Sequence, residues 1–249
     1  MTLPLLLLHE GIADARMWEA NDFGARRVLA PDLRGYGSRP LEPGPYSDVD
    51  DLVELLDDEG VERAVLVGCS YGGRVALELT LEHPSRVAGL VLGAPGLRGW
   101  EWSSEVEEYG AREEELVEAG ELDAAVELNL RFWVDGPLRH SGEVDSGVRA
   151  RVAEMQRLAY EHALAVPDAG PERALEPPAR ERLGEIRVPT LVVVGTLDVP
   201  DMHAIARTVV AGVPGARLEW IEGVAHALTM ERPAEFDALV LAFLADAGL

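Results

Sequence analysis

A serine lies between two glycines in the segment Gly68-Cys69-Ser70-Tyr71-Gly72. The pattern Gly-x-Ser-x-Gly follows an apolar run at residues 64–69 and precedes a segment with helical periodicity. Small residues beside a serine permit the sharp strand-to-helix turn that exposes its hydroxyl at the end of a strand. The backbone N–H of Tyr71, at the start of the helix, would then face a developing oxyanion. The segment predicts a nucleophile, Ser70, with Tyr71 as an oxyanion donor.

A serine hydroxyl needs a base to remove its proton, so a histidine and an orienting acid are required. His226 follows the last predicted strand, and Asp198 follows the strand before it. Both would lie at the carboxyl edge of a parallel sheet, which is also the edge of Ser70, and the chain order Ser, Asp, His is usual for such sites. Asp201 is the rival acid, which we expect to be solvated or to cap a helix. The predicted triad is Ser70, His226 and Asp198.

Short apolar runs alternate with helical patterns along the chain, which is typical of a parallel sheet with crossover helices. The predicted strands cover residues 3–9, 27–32, 64–69, 87–92, 190–195 and 217–221. Three helices are predicted around them, beginning at Ser47, Tyr71 and Pro233. The predicted fold class is therefore α/β, with a mostly parallel sheet flanked by helices.

Residues 98–187 break this alternation. They contain no convincing strand but three helical stretches, at 105–119, 122–133 and 148–165. We predict a core formed by residues 1–97 and 188–249, with residues 98–187 inserted as a helical cap, or lid. The aromatic residues of the insertion either fill the interior of the lid or line an apolar pocket; they are Trp100, Trp102, Phe132 and Trp133.

Composition narrows the class of partner. All 22 basic residues are arginine, and 45 acidic residues leave a net charge of −23, which repels nucleic-acid backbones and anionic membranes. The single cysteine, Cys69, excludes a disulfide framework and a multi-cysteine metal site, and we expect a buried thiol. The apolar run at residues 5–8 is too short for a signal peptide or a spanning helix. We expect a cytoplasmic protein without a nucleic-acid or membrane partner.

Two further segments complete a family resemblance. Residues 30–38, Ala-Pro-Asp-Leu-Arg-Gly-Tyr-Gly-Ser, and the sequence His9-Glu10-Gly11 resemble, together with the Ser70 motif, segments of the α/β-hydrolase superfamily. The resemblance covers nearly the whole chain outside the lid and implies an α/β-hydrolase fold. It also implies a second oxyanion N–H from Gly11 or the following Ile12, with His9 orienting that loop. We expect Asp32 and Arg34 to form a structural loop pair and not an acid-base pair.

The chain departs from the family pattern in three places. Glu10 replaces the usual glycine or other small residue, which affects how closely the backbone can approach an oxyanion. The antiparallel hairpin that usually opens the core has no room before Leu3, so we expect a six-stranded sheet with an unusual edge, or a truncated start. The first crossover, residues 18–32, is short, so we expect an abbreviated helix there.

These features predict a hydrolase that cleaves a small carboxylic ester or lactone through an acyl-enzyme on Ser70, with no cofactor and no metal. A carbon–carbon bond hydrolase or a perhydrolase-like enzyme would use the same triad, so both stay open as alternatives. A non-catalytic small-molecule receptor is the alternative from another class. The expected partner is a small-molecule substrate, and self-association into a homo-oligomer stays open.

Overall fold

A computed structural model describes residues 2–249 of the protein. Apolar strands form the centre of the molecule. The strands, in chain order, are β1 (Leu5–Leu8), β2 (Val28–Leu29), β3 (Gly44–Tyr46), β4 (Ala64–Cys69), β5 (Val87–Gly93), β6 (Ala169–Glu172), β7 (Thr190–Gly195) and β8 (Arg217–Ile221). Six of them form one sheet in the order β2-β1-β4-β5-β7-β8, and every neighbouring pair is parallel. Strands β1, β4, β5 and β7 are buried along their whole length, as expected for a parallel sheet covered on both faces. The predicted α/β class and six-stranded sheet are confirmed.

Helices connect and cover these strands. Within residues 2–249 the α-helices are α1 (Asp48–Asp58), α2 (Tyr71–Glu82), α3 (Ser104–Glu118), α4 (Leu122–Asn129), α5 (Ser146–Ala165), α6 (Ala179–Arg182), α7 (Pro200–Gly212), α8 (Leu228–Glu231) and α9 (Pro233–Ala247). The Ser47 side chain accepts a hydrogen bond from Asp50 N–H, which caps the first turn of α1. None of the helices in the described range is both long enough and apolar enough to cross a bilayer.

The β2 edge of the sheet is shorter than predicted. Strand β2 has two residues in place of the predicted 27–32, and the side chain of Val28 is 41% exposed. Pro31 follows closely and has no N–H with which to continue a ladder. The crossover from β1 to β2 contains one 3-10 turn, Ala15–Trp18, where a full helix would usually lie. This agrees with the expectation of an abbreviated crossover.

Residues 98–187 contain a strand that the sequence pattern did not indicate. Strand β6 pairs in parallel with β3 and forms a separate two-stranded sheet. Its residues, Ala-Gly-Pro-Glu, include no β-branched or aromatic side chain, so strand propensity gave no signal. A side chain at Gly170 would collide with the backbone of Gly44, so this glycine permits the close pairing.

Helices form most of the segment between β5 and β6. Helices α3, α4 and α5 pack against one another, and a π-helical turn, Leu130–Asp135, follows α4. The Glu113 carboxylate accepts hydrogen bonds from the hydroxyls of Tyr109 and Tyr160 and from the amide of Asn129, which joins the three helices. The assignment of residues 98–187 as a separate cap on a core of residues 1–97 and 188–249 is retained as a proposal.

Candidate active site

Ser70 lies at the turn from β4 to α2, with φ 49° and ψ −112°. A residue other than glycine at positive φ is strained and needs surroundings that hold it in place. The N–H of Ser70 donates to the carbonyl of Gly93 at 2.8 Å, and its own carbonyl accepts from the N–H of Gly96 at 2.9 Å. Side chains at Gly68 and Gly72 would collide with the backbone around the turn. The two glycines of the motif therefore permit the turn that leaves Ser70 half-buried at the end of the strand.

The acid and the histidine lie in loops that follow neighbouring strands. Asp198 follows β7 and His226 follows β8, and Nδ1 of the imidazole lies 2.9 Å from Oδ2 of the carboxylate. Because a carboxylate can only accept, Nδ1 carries the proton and Nε2 keeps a free lone pair. The other oxygen of Asp198 accepts from the N–H of Val199 at 2.8 Å. His226 is 1% exposed and Asp198 is 3% exposed, so water hardly competes for this contact.

The surroundings of His226 favour its charged form. Burial opposes a charge on the ring, but the adjacent Asp198 carboxylate outweighs it and, with a contribution from Glu10, raises the pKa of His226 above its ordinary value. The same charges stabilise an imidazolium once the ring has taken a proton. The geometry and the charges together suit a general base.

A cavity of about 390 Å³ opens beside Ser70. Much of its wall is apolar, with surface from Leu97, Trp100, Trp102, Trp133 and Met202. The Trp133 ring is centred 4.6 Å from the His226 ring, and its carbonyl accepts a hydrogen bond from the backbone N–H of His226 at 3.2 Å. Trp133 therefore lines the cavity beside Ser70 and also contacts the ring of His226. Its place there depends on the π-helical turn, which the sequence pattern did not indicate.

The loop after β1 contacts the turn that carries Ser70. The carbonyl of His9 accepts from the N–H of Gly72 at 3.0 Å, and a side chain on Gly11 would approach Cβ of Tyr71 to 3.5 Å. His9 is buried, which lowers its pKa, and its ring lies 2.8 Å from the carbonyl of Glu10 and 2.9 Å from the N–H of Leu33. A neutral ring satisfies both contacts, with the proton on Nδ1. His9 thus orients the loop, and the oxyanion roles of Gly11 and Tyr71 stay predictions.

Glu10, in the loop after β1, is enclosed by the protein. It is 1% exposed, and its Oε2 has no hydrogen-bond partner among the described residues. Burial, with contributions from Asp198 and Glu231, raises the pKa of Glu10 to about 7, although His226 opposes the shift. The departure at position 10 therefore places a buried titratable group within electrostatic range of His226 and Asp198.

Two arginines at the cavity are already paired. Arg74 lies on α2, one turn after Ser70, and Arg98 follows β5; both bond to Glu78 and to Glu172. The ion-pair distances range from 2.6 to 3.0 Å. Since two carboxylates balance two guanidinium groups, the cluster adds hydrogen-bond donors to the cavity wall and little net charge.

Arg139 connects the π-helical turn to the loop that carries His226. Its guanidinium forms an ion pair with Glu231 at 2.6 Å, and its side chain is 8% exposed. It also donates to the carbonyls of Val134 and Asp135 in the π-helical turn and to that of Gly223 in the loop before His226. The π-helical turn is therefore joined at this point to the segment that carries the predicted base.

The expectation that Asp201 is solvated or caps a helix was wrong. Asp201 is 8% exposed, and it accepts hydrogen bonds from the N–H and hydroxyl of Ser103 and from the indole of Trp100, so it attaches the start of the lid to α7. Asp32 and Arg34 are structural, as expected, but their partners are other groups and not each other. Asp32 accepts from backbone N–H groups of neighbouring loops, and Arg34 pairs with Asp51 on α1. The partners Ser103, Ala15 and Asp51 lie outside the local segments, so no local pattern indicated these contacts. Cys69 is buried, as expected.

Comparison with known proteins gives concordant results. The family described as the alpha/beta hydrolase family matches residues 5–239. A 2-hydroxy-6-oxononadienedioate/2-hydroxy-6-oxononatrienedioate hydrolase of Klebsiella pneumoniae subsp. pneumoniae is 31% identical over 89% of this chain and 77% of its own. A pimeloyl-(acyl-carrier protein) methyl ester esterase of Nitrosospira multiformis is 28% identical over 96% of this chain and 93% of its own. The structure of a thermophilic esterase from Thermogutta terrifontis superposes with a TM-score of 0.81, at 25% identity, over 100% of this chain and 92% of its own.

Proposed function

Because this chain belongs to the α/β-hydrolase family, we propose that it hydrolyses a small carboxylic ester or lactone through Ser70, His226 and Asp198. The observation that carries the proposal is the buried 2.9 Å contact between His226 and Asp198, which leaves Nε2 of the imidazole free to accept a proton. The strained turn at Ser70 supports it, because strain of this kind persists where a hydroxyl must be exposed for attack.

The proposed reaction has two halves. In the first, Ser70 Oγ attacks the substrate carbonyl while Nε2 of His226 takes the hydroxyl proton, and the N–H groups of Tyr71 and Gly11 stabilise the oxyanion. The imidazolium then gives its proton to the departing alcohol, which leaves an acyl group on Ser70. In the second half, water attacks the acyl group while His226 takes a proton from that water; the imidazolium then returns the proton to Ser70 Oγ as the acid is released. Asp198 holds the ring orientation throughout.

The cavity supports a small substrate. A volume of about 390 Å³ lies at the lower end of the range for small-molecule sites, and much of its wall is apolar and aromatic. The paired arginines Arg74 and Arg98 add donors without an unbalanced positive charge. We therefore favour short or cyclic acyl groups without a charge of their own. Two of the similar proteins, the methyl ester esterase and the thermophilic esterase, are named for ester hydrolysis, which supports an ester as the bond that is cleaved.

Hydrolysis of a carbon–carbon bond is the second candidate. The Klebsiella relative is named for a hydroxy-oxo-dioate, a doubly charged keto acid whose name contains no ester. Arg74 and Arg98 lie at the cavity wall, and a substrate carboxylate could replace that of Glu172 between them. Such an exchange would let an anionic substrate bind, and the same triad would then act on a ketone carbonyl.

A panel of substrates tests the proposal. We expect turnover of p-nitrophenyl esters of short acyl chains and of small lactones, and Ser70→Ala should reduce it by several orders of magnitude. A fluorophosphonate should label the native enzyme and leave Ser70→Ala unlabelled. Undiminished turnover by Ser70→Ala would disprove the assignment.

The same panel separates the alternatives. Turnover of a dicarboxylic hydroxy-oxo acid, with esters left nearly untouched, would establish the carbon–carbon hydrolase instead. Tight binding of a small molecule in calorimetry, together with no fluorophosphonate labelling of Ser70, would establish a non-catalytic receptor.

A further inference from the structure

Glu172 pairs with the two arginines that line the cavity beside Ser70. It is the last residue of β6, and its side chain is 16% exposed. Its Oε2 accepts from Nη2 of Arg74 at 2.8 Å and from Nη2 of Arg98 at 3.0 Å, so one carboxylate bridges both guanidinium groups. Glu172 is thus a direct counter-charge for the polar part of the cavity wall.

Arg74 lies close to the nucleophile. It is one turn after Ser70 on α2, and its backbone N–H donates to the Ser70 carbonyl at 3.0 Å. Its guanidinium carbon lies 4.4 Å from the centre of the Tyr71 ring, which lines the same cavity, and the Tyr71 hydroxyl donates to Asp48 at 2.6 Å. A small substrate held at Ser70 therefore shares its cavity with the guanidinium groups, and any charge on that substrate acts on them.

The second partner of the arginines is the interior residue Glu78. It is buried one turn after Arg74 on α2, at 3.0 Å from that guanidinium and at 2.6 Å from that of Arg98. Two carboxylates therefore balance two guanidinium groups. Without the charge of Glu172, the arginines would share one counter-charge, and their Nη2 groups would lose an ionised acceptor.

The backbone of Glu172 is fixed by strand pairing. Tyr46 of β3 is its register partner, and the N–H of Arg173 donates to the Tyr46 carbonyl at 2.7 Å. The guanidinium of Arg173 pairs with Glu82 on α2 at 2.8 Å. A substrate carboxylate that displaced Glu172 would leave a mostly buried carboxylate without its partners, which is costly. The exchange is therefore unfavourable while Glu172 keeps its charge.

We propose that Glu172 is a specificity-determining residue, whose negative charge occupies the arginines of the cavity and so excludes substrates with a carboxylate on the acyl group. The inference rests on the proposed function and decides between two substrate classes that the same triad could serve, uncharged and carboxylate-bearing acyl groups. With the charge at position 172 removed, the N–H donors of Arg74 and Arg98 would bind a substrate carboxylate. The selectivity then depends on a residue of β6, outside the predicted triad.

Two esters of nearly equal shape test the inference. Methyl 4-methylpentanoate is uncharged, and monomethyl succinate carries a carboxylate in place of the isopropyl group. Their dissociation constants are measured by NMR titration in a Ser70→Ala background, so the readout does not need turnover. With Glu172 present, the uncharged ester should bind more tightly. Glu172→Gln should strengthen the binding of monomethyl succinate about 10- to 100-fold and leave the Kd of the uncharged ester nearly unchanged.

The control is Glu82→Gln. It removes the same charge from an ion pair with Arg173, the neighbour of Glu172. Both arginines of the cavity keep their carboxylates in this variant, so its affinities should match those of the Ser70→Ala background. Addition of Arg98→Gln to Glu172→Gln should abolish most of the gain, because one of the two groups that would bind the carboxylate is lost.

The possible outcomes separate the inference from the proposed function. An unchanged Kd for monomethyl succinate in Glu172→Gln would overturn the inference, and so would a gain that persists when Arg98→Gln is added. Absence of turnover on the substrate panel would instead overturn the proposed function, and the titrations would still decide the selectivity. If Glu172→Gln does not fold, the Ser70→Ala background decides, because equal affinity for the two esters rejects an exclusion by Glu172.

Discussion

The two oxygens of the Asp198 carboxylate have different partners, and this asymmetry makes a substitution informative. One oxygen faces Nδ1 of His226, and the other accepts from the N–H of Val199. In Asp198→Asn the amide oxygen must stay with Val199, so the NH₂ group faces the ring. The ring then accepts at Nδ1 and carries its proton on Nε2, where it cannot act as a base.

We therefore expect Asp198→Asn to reduce kcat by about 10⁴-fold without unfolding the protein. Steady-state kinetics on the best ester of the panel, beside a far-UV circular dichroism spectrum, would check this. A loss below tenfold, with the spectrum unchanged, would show that Asp198 does not set the tautomer of His226.

Glu10 also makes stability depend on pH. Its pKa is raised from an ordinary value of 4.5 to about 7, so the folded protein holds this proton more tightly than the unfolded chain does. Below pH 4.5 the bound proton makes its full contribution to the free energy of unfolding, and this contribution is lost as the pH rises towards 7. The total change is on the order of 3 kcal/mol.

Glu10→Gln should accordingly weaken the fall in unfolding free energy between about pH 4.5 and pH 7. Urea denaturation of the native protein and the variant at several pH values in this interval would measure the two slopes. Glu54→Gln, which removes an exposed carboxylate from α1, is the control for the change in net charge. Parallel slopes for the native protein and Glu10→Gln would mean that Glu10 is ionised throughout the interval.

Among the structural elements, the π-helical turn and the histidine loop depend on each other. Gly136, at φ 71°, ends the turn, and a side chain there would come within 2.7 Å of the Leu197 carbonyl and 2.8 Å of Cβ of Ala225. Leu197 precedes Asp198, and Ala225 precedes His226. The end of the π-helical turn therefore packs directly on both loops of the predicted triad, and Arg139 reinforces the contact through Glu231.

Removal of one partner of this buried ion pair should be costly. Arg139→Met leaves Glu231 buried and unpaired, so we expect a loss of about 3–5 kcal/mol in unfolding free energy. The double substitution Arg139→Met and Glu231→Leu should recover much of that stability, because no lone charge remains. We expect kcat to fall in Arg139→Met and to stay low in the double variant, because in both the carbonyls of the turn and of Gly223 lack their donor. Denaturation and kinetics on both variants would check this, and full recovery of kcat would show that Arg139 has no part in holding the loop.

The extent to which sequence predicted the structure differs from element to element. The buried strands and the Ser70 turn were predictable, since apolar runs and paired glycines are local patterns. Strand β6 was not, because its pairing with β3 depends on a partner more than a hundred residues away. The burial of Asp201 and the place of Trp133 against His226 likewise depend on how the lid folds back on the core. Contacts of this kind have no sequence period.

At the scale of the whole molecule, the acidic residues far outnumber the arginines that pair with them. A net charge of −23 on 249 residues implies mutual repulsion across the surface of the folded state. Addition of sodium chloride, from about 0.01 M to about 0.15 M, shortens the screening length from about 30 Å to about 8 Å. We expect the Tm to rise over this interval, measured by differential scanning calorimetry. A fall in Tm would mean that the surface ion pairs outweigh the repulsion.

The short distance between Trp133 and His226 has an optical consequence. Their ring centres are 4.6 Å apart, and a positively charged imidazole quenches the emission of an indole that it touches. The intrinsic fluorescence of the protein should therefore brighten as His226 loses its proton, without any added dye. The His203 ring lies 5.1 Å from that of Trp220, so the difference between the native protein and Trp133→Phe isolates the signal. The protonation of His226 could then be followed by fluorescence, in real time, while a substrate binds and reacts.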